Sequence, residues 1–232
     1  MRLTDFKVLT FDVVGTLIDF ETGILDAFRT IGGAKSKGLT DDDIFVPYLQ
    51  GRRRYSGRSS EVMRDVYLHV AHELDLDTSA ECADRFQLSV LAWPPFEDAI
   101  EALHRLRKRF FLVAMTNADR TAYTAYAHAL GNPFHDAVTI DEAVYPKPDP
   151  RFFCYALGRQ SARGIKQEEI LHVAQSQYHD IGIATGMGFN VCWIERRMHQ
   201  KGFGGSPEPA ETATPQYHFA SLKELADDMQ LD

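Results

Sequence analysis

The chain of 232 residues is short of several things, and each shortage removes a class of protein. Its three cysteines, Cys82, Cys154 and Cys192, are scattered, odd in number and form no CxxC pair. That pattern offers neither a disulfide framework nor a thiolate metal site, and it suits a reducing compartment. Basic charge is scarce: 25 Lys and Arg against 33 Asp and Glu leave a formal charge of −8. Nucleic acids and anionic membranes select a basic surface, so neither is an expected partner. No apolar run approaches the roughly 18 residues needed to span a bilayer. The opening Met1-Arg2-Leu3-Thr4-Asp5 lacks an apolar leader stretch, so the expected location is the cytoplasm.

What remains has the balance of a globular protein, with 44% hydrophobic and 25% charged residues. Short apolar runs recur at Val8–Phe11, Phe110–Met115, Ala137–Ile140, Ile170–Val173, Val191–Ile194 and Tyr217–Ala220. Their length and their β-branched or aromatic content suit buried strands. Helical patterns lie between them: Phe96, Ile100, Leu103 and Leu106 share one face, and Ser221 with Glu224 has capping-box spacing. Strand–helix alternation predicts an α/β fold, a Rossmann-like parallel sheet covered on both faces. Residues 18–92 break the rhythm with helical patterns alone, including a start at Thr40-Asp41-Asp42-Asp43. We read them as an all-helical cap inserted into a core of residues 1–17 and 93–232. The Gly- and Pro-rich stretch Lys201–Gln216 reads as an exposed loop.

In an open parallel sheet, ligands bind beyond the carboxyl ends of the strands. The residues found there, in order, are Asp12-Val13-Val14-Gly15-Thr16-Leu17, then Thr116-Asn117, then Lys147-Pro148, then Ala174-Gln175-Ser176 leading to Asp180. This ordered set resembles the four motifs of the haloacid dehalogenase superfamily, with the helical cap between the first two. The resemblance implies that Asp12 is a carboxylate nucleophile, helped by Thr16, Thr116 and Asn117. It also implies that Lys147 offsets charge repulsion and that Asp180 orients Lys147 or activates water.

The departures from the family pattern narrow the chemistry. Phosphatases of the superfamily carry a second aspartate two residues after the nucleophile, to protonate a departing alkoxide; here that residue is Val14. Their Mg²⁺ ligands sit in the fourth motif, where this chain has Gln175 and Gln177 and only Asp180 is acidic. A hard divalent cation prefers several carboxylate oxygens, so no metal and no cofactor is the expectation. A halide leaves unprotonated. The pattern therefore looks like the L-2-haloacid dehalogenase branch, often dimeric, acting on a small anionic organic substrate. Val13, Val14, Gln175 and Gln177 are expected around that substrate, with the cap arginines Arg52, Arg53 and Arg54 as carboxylate or halide ligands and Arg58 nearby. The match is incomplete, since the branch has Ser and Asn at the places of Gln175 and Gln177, and Tyr at the place of Phe153. Three alternatives stand beside it: a Mg²⁺-dependent phosphatase, a phosphonatase drawing on cap Lys35 or Lys37, and a binding protein that lost turnover.

Overall fold

The computed structural model describes residues 2–230, with backbone only for Ser59. Met1, Leu231 and Asp232, at the ends of the expected core, lie outside the described residues. Six strands form one sheet: β1 (Val8–Phe11), β2 (Phe111–Met115), β3 (Asp136–Val138), β4 (Ile170–Ala174), β5 (Asn190–Ile194) and β6 (Tyr217–Phe219). Every pairing is parallel and the order is β3-β2-β1-β4-β5-β6. The strands β1 and β4 are buried along their whole length, as the centre of a doubly covered parallel sheet requires. Chain order reverses direction at β1, so the carboxyl ends of β1, β2 and β4 open onto the crevice where such sheets bind ligands.

The third strand is shorter than its apolar run suggests. Thr139 leaves the sheet to cap α7 (Ile140–Ala143), its backbone N–H bonded by Glu142 at 2.8 Å, so Ile140 starts a helix instead of ending a strand.

From Asp19 to Ala92 the described residues form helices and turns, with no named strand: α1 (Phe20–Ile31), α2 (Asp41–Arg54), α3 (Ser59–Leu74) and α4 (Ala80–Ser89). Asp19 caps α1, Thr40 and Asp43 form a capping box on α2, and Ser79 caps α4. These helices close on their own aromatic cluster, with Phe28 centred 4.5 Å from Phe86 and 5.5 Å from Tyr67. Isolated bridges from Ile18 to Val14 and Pro95 gather the two chain crossings into this layer.

The remaining helices are α5 (Ala99–Arg107), α6 (Arg120–Ala129), α8 (Pro150–Ser161), α9 (Gly182–Gly186) and α10 (Leu222–Asp228). Ala99, Ala102, Leu103 and Leu106 make the buried face of α5. Ile100, expected on that face, is 46% exposed, because the helix turns its small alanines inward and Phe96 precedes its first turn. Ser221 caps α10 through the Glu224 N–H, but the capping box does not close, because the Glu224 carboxylate accepts the Ala220 N–H instead.

Candidate active site

Asp12 follows β1 while its backbone N–H still bonds Val173 O of β4 at 3.0 Å. The turn behind it needs Gly15, whose φ is +94°; a Cβ there would press on the Phe20 ring at 3.2 Å and on Gln175 Oε1 at 3.3 Å. The turn brings the Thr16 hydroxyl back to donate to Asp12 Oδ2 at 2.7 Å. Thr16 Oγ1 in turn accepts the Gln175 N–H at 2.8 Å.

Lys147 reaches the other carboxylate oxygen. Its Nζ donates to Asp12 Oδ1 at 2.8 Å, to Asp180 Oδ1 at 2.6 Å and to Met115 O at 2.9 Å. Asn117 fixes its backbone: Asn117 Nδ2 donates to Lys147 O at 2.9 Å, and Lys147 N–H donates to Asn117 Oδ1 at 2.7 Å. The Thr116 hydroxyl accepts the Ala118 N–H at 3.1 Å. Lys147 is 3% exposed, Asp12 5% and Asp180 fully buried.

One ammonium between two carboxylates leaves the trio with a single negative charge. Burial pushes the Asp12 carboxyl above its ordinary range, against the pull of Lys147. Burial also works against the charge on Asp180, yet the Lys147 ammonium and the bond from His172 hold it down at about 2. Burial lowers the Lys147 pKa, but Asp12 and Asp180 outweigh it and the ammonium persists above its usual range.

These groups form the floor of a cavity of about 310 Å³. Helical residues Tyr48, Leu49, Arg52, Arg53 and Met63 line the side supplied by the layer between β1 and β2. Arg52 follows Tyr48 by one helical turn, and so faces the same way. Its Nη1 is buried and has no hydrogen-bond partner among the described residues. Arg54 points elsewhere, with its guanidinium 5.5 Å from the Tyr55 ring, and Arg58 bridges to Glu61 and Asp141.

The other expected substrate contacts separate. Val14 lines the cavity, whereas Val13 is fully buried in the apolar core. Gln175 lines a second hollow of about 230 Å³ beside Gly15. Gln177 is spent on the chain itself, accepting Ala213 N–H at 3.0 Å and donating to Ala213 O at 3.3 Å.

Several groups at the site carry no motif. Arg196 donates to Thr16 O at 2.8 Å and 3.0 Å, and to both oxygens of Asp98, so it clamps the turn that follows Asp12. His179 lines the cavity, and burial pushes its imidazole down to about 4, so the ring is neutral near pH 7. The stretch read as an exposed loop also contributes, because Gly205, Ser206 and Pro207 line the cavity. Glu21 fastens it there, accepting the Gly205 N–H at 2.8 Å while paired with Arg197 at 2.5 Å. A Gly- and Pro-rich composition reports the lack of regular structure in such a stretch and says nothing about what covers it.

A divalent cation fits this donor set poorly. The space between Asp12 and Asp180 holds the Lys147 ammonium, and among the described residues no group of three His, Cys, Asp or Glu side chains converges.

A haloacetate dehalogenase H-2 of Moraxella sp. (strain B) is 28% identical over 82% of this chain and 86% of its own. A phosphoglycolate phosphatase of Mesorhizobium japonicum is 29% identical over 81% of this chain and 82% of its own. The fold matches the L-2-haloacid dehalogenase structure from Xanthobacter autotrophicus with a TM-score of 0.76, at 18% identity over 97% and 98% of the two chains. The model of haloacid dehalogenase-like hydrolases matches residues 6–188, and the chain belongs to that family.

Proposed function

We propose that this protein is a metal-independent dehalogenase of small 2-haloacids in which Asp12 is the covalent nucleophile. The Asp12 carboxylate attacks the carbon bearing the halogen, a C–O bond forms, and the halide leaves with the bonding electrons. Water then hydrolyses the ester and releases the 2-hydroxy acid. The observation that carries this reading is the buried trio itself: among the described residues no further carboxylate, imidazole or thiolate joins Asp12 and Asp180 to hold a cation, and Val14 lines the cavity where an alkoxide leaving group would need an acid. A halide needs neither. Thr16 and Lys147 hold the two oxygens of Asp12, and the unpaired Nη1 of Arg52 supplies a cationic donor for the substrate's carboxylate or the departing halide. The names of the Moraxella relative and of several (S)-2-haloacid dehalogenases support the same chemistry.

The helical layer acts as the cap in this reading, and Thr116 and Asn117 serve by placing Lys147 and the β2 end. The reading extends to a cytoplasmic homodimer: the free Cys82, Cys154 and Cys192 suit a reducing compartment, and sedimentation of the purified chain measures the assembly. The phosphatase-named relative defines the rival. A screen of 2-haloacids and phosphate monoesters, with and without EDTA, separates the two. Halide release unaffected by EDTA is expected; phosphate release that EDTA abolishes would establish the rival.

A further inference from the structure

Sheet geometry places one unassigned histidine directly beneath the reacting groups. Side chains alternate across a strand, so Thr10 and Asp12 share a face of the chain leaving β1. His172 is the Cα partner of Thr10 on β4 and projects on that same face. It is fully buried, and both ring nitrogens are engaged. Nδ1 lies 2.9 Å from the Thr10 hydroxyl and Nε2 lies 3.0 Å from Asp180 Oδ1. A carboxylate only accepts, so Nε2 carries a proton toward Asp180, while Nδ1 pairs with the Thr10 hydroxyl. Phe153 packs edge-on against the ring at 5.5 Å, leaving it one orientation.

The consequence falls on Asp180. His172 and Lys147 both bond to Oδ1, and Oδ2 is buried with no partner among the described residues. Asp180 lines the cavity, and a buried carboxylate oxygen without a partner is an acceptor waiting for a donor. We propose that His172 is a positioning residue for the second half-reaction: by holding Asp180 through Oδ1, it directs Oδ2 to the water that hydrolyses the Asp12 ester. That water gives a proton to Oδ2 as its oxygen bonds to Asp12 Cγ. Collapse of the tetrahedral adduct breaks the ester C–O bond, and the departing alkoxide oxygen takes that proton back from Asp180. The first half-reaction needs none of this, because halide departure requires no proton.

This inference rests on the proposed ester chemistry, and the test separates the two. Rapid-quench reactions with chloroacetate follow halide release, glycolate release and the mass of the Asp12 peptide in wild type, His172→Phe, His172→Gln and Thr10→Val. His172→Phe is expected to give a halide burst near one equivalent per site, then glycolate formation slowed at least about tenfold, the loss expected for a hydrogen bond to a charged group. The Asp12 peptide then accumulates carrying the carboxymethyl ester. His172→Gln, which keeps a donor toward Asp180, recovers part of the second step. Thr10→Val frees the ring without touching Asp180 and shows a smaller slowing of the same step, which keeps the test open if His172→Phe folds poorly. Equal slowing of burst and glycolate release in the variants, or wild-type rates in all three, overturns the role of His172 alone. No halide release by the wild type overturns the ester chemistry, and this inference with it.

Discussion

The floor and the roof of the cavity are built on opposite principles. On the floor, supplied by strand ends, nearly every polar group is already engaged: Thr16 with Asp12, Lys147 with two carboxylates and a carbonyl, Asn117 with the Lys147 backbone. On the roof, supplied by α2 and α3, Arg52 keeps a buried donor unpaired and Arg53 is exposed. In the proposed reaction, preorganisation of the floor keeps reorganisation small as charge moves from Asp12 to the leaving group. An unsatisfied buried cationic donor costs free energy in the resting protein, and that cost is removed when an anion arrives. On the proposed reading, chemistry belongs to the sheet and selection of the substrate to the helices.

The first way to break this contrast is at the nucleophile. Asp12→Asn keeps size and the Thr16 contact but cannot form an ester; turnover is expected to fall about 10⁴-fold or more, with an unchanged circular-dichroism spectrum. Retained steady-state halide release would end the contrast at once. Next comes Lys147→Met, which leaves Asp12 and Asp180 buried side by side without a counter-charge. A loss of about a hundredfold in kcat is expected, with roughly 3 kcal/mol of stability in a urea titration. Lys201→Met, on the loop surface, should leave both measurements alone.

On the roof the effect is smaller and of another kind. Arg52→Ala should raise KM for chloroacetate about tenfold and change kcat less, since it removes one charge-assisted bond to the anion. Arg54→Ala, whose guanidinium rests by Tyr55, should change KM by less than about twofold. Equal effects of the two would mean that α2 presents a different face to substrate. The smallest effect is on pH dependence. Asp12 must be ionised to attack, and burial raises its pKa, so the acid limb of the halide burst should lie above the ordinary carboxylate value of 3.8. The burst is lost as pH falls through that raised value; a limb at or below 3.8 would contradict the buried trio.

The same contrast explains what the sequence could reveal. Floor residues sit just beyond apolar runs in fixed order, so Asp12, Lys147 and Asp180 were legible from strand ends and motif order alone. The roof was legible as helix, because residues 18–92 show no strand pattern, but its orientation was not. Three consecutive arginines point in directions about 100° apart, and which of them shares a face with the buried Tyr48 depends on how the helix packs. His172 was hidden by its setting, since one histidine inside an apolar strand reads as core. Arg196 was hidden by distance, as its clamp on Thr16 spans 180 residues of sequence.

The most direct test of the account is a single turnover of chloroacetate in water enriched in heavy oxygen, with enzyme in excess. Asp12 attacks with its own ordinary oxygen, so the first glycolate should be unlabelled and the heavy atom should appear in the Asp12 peptide. Heavy oxygen in the first glycolate, with Asp12 unlabelled, would show that water attacks the substrate directly and would contradict the covalent role assigned to Asp12.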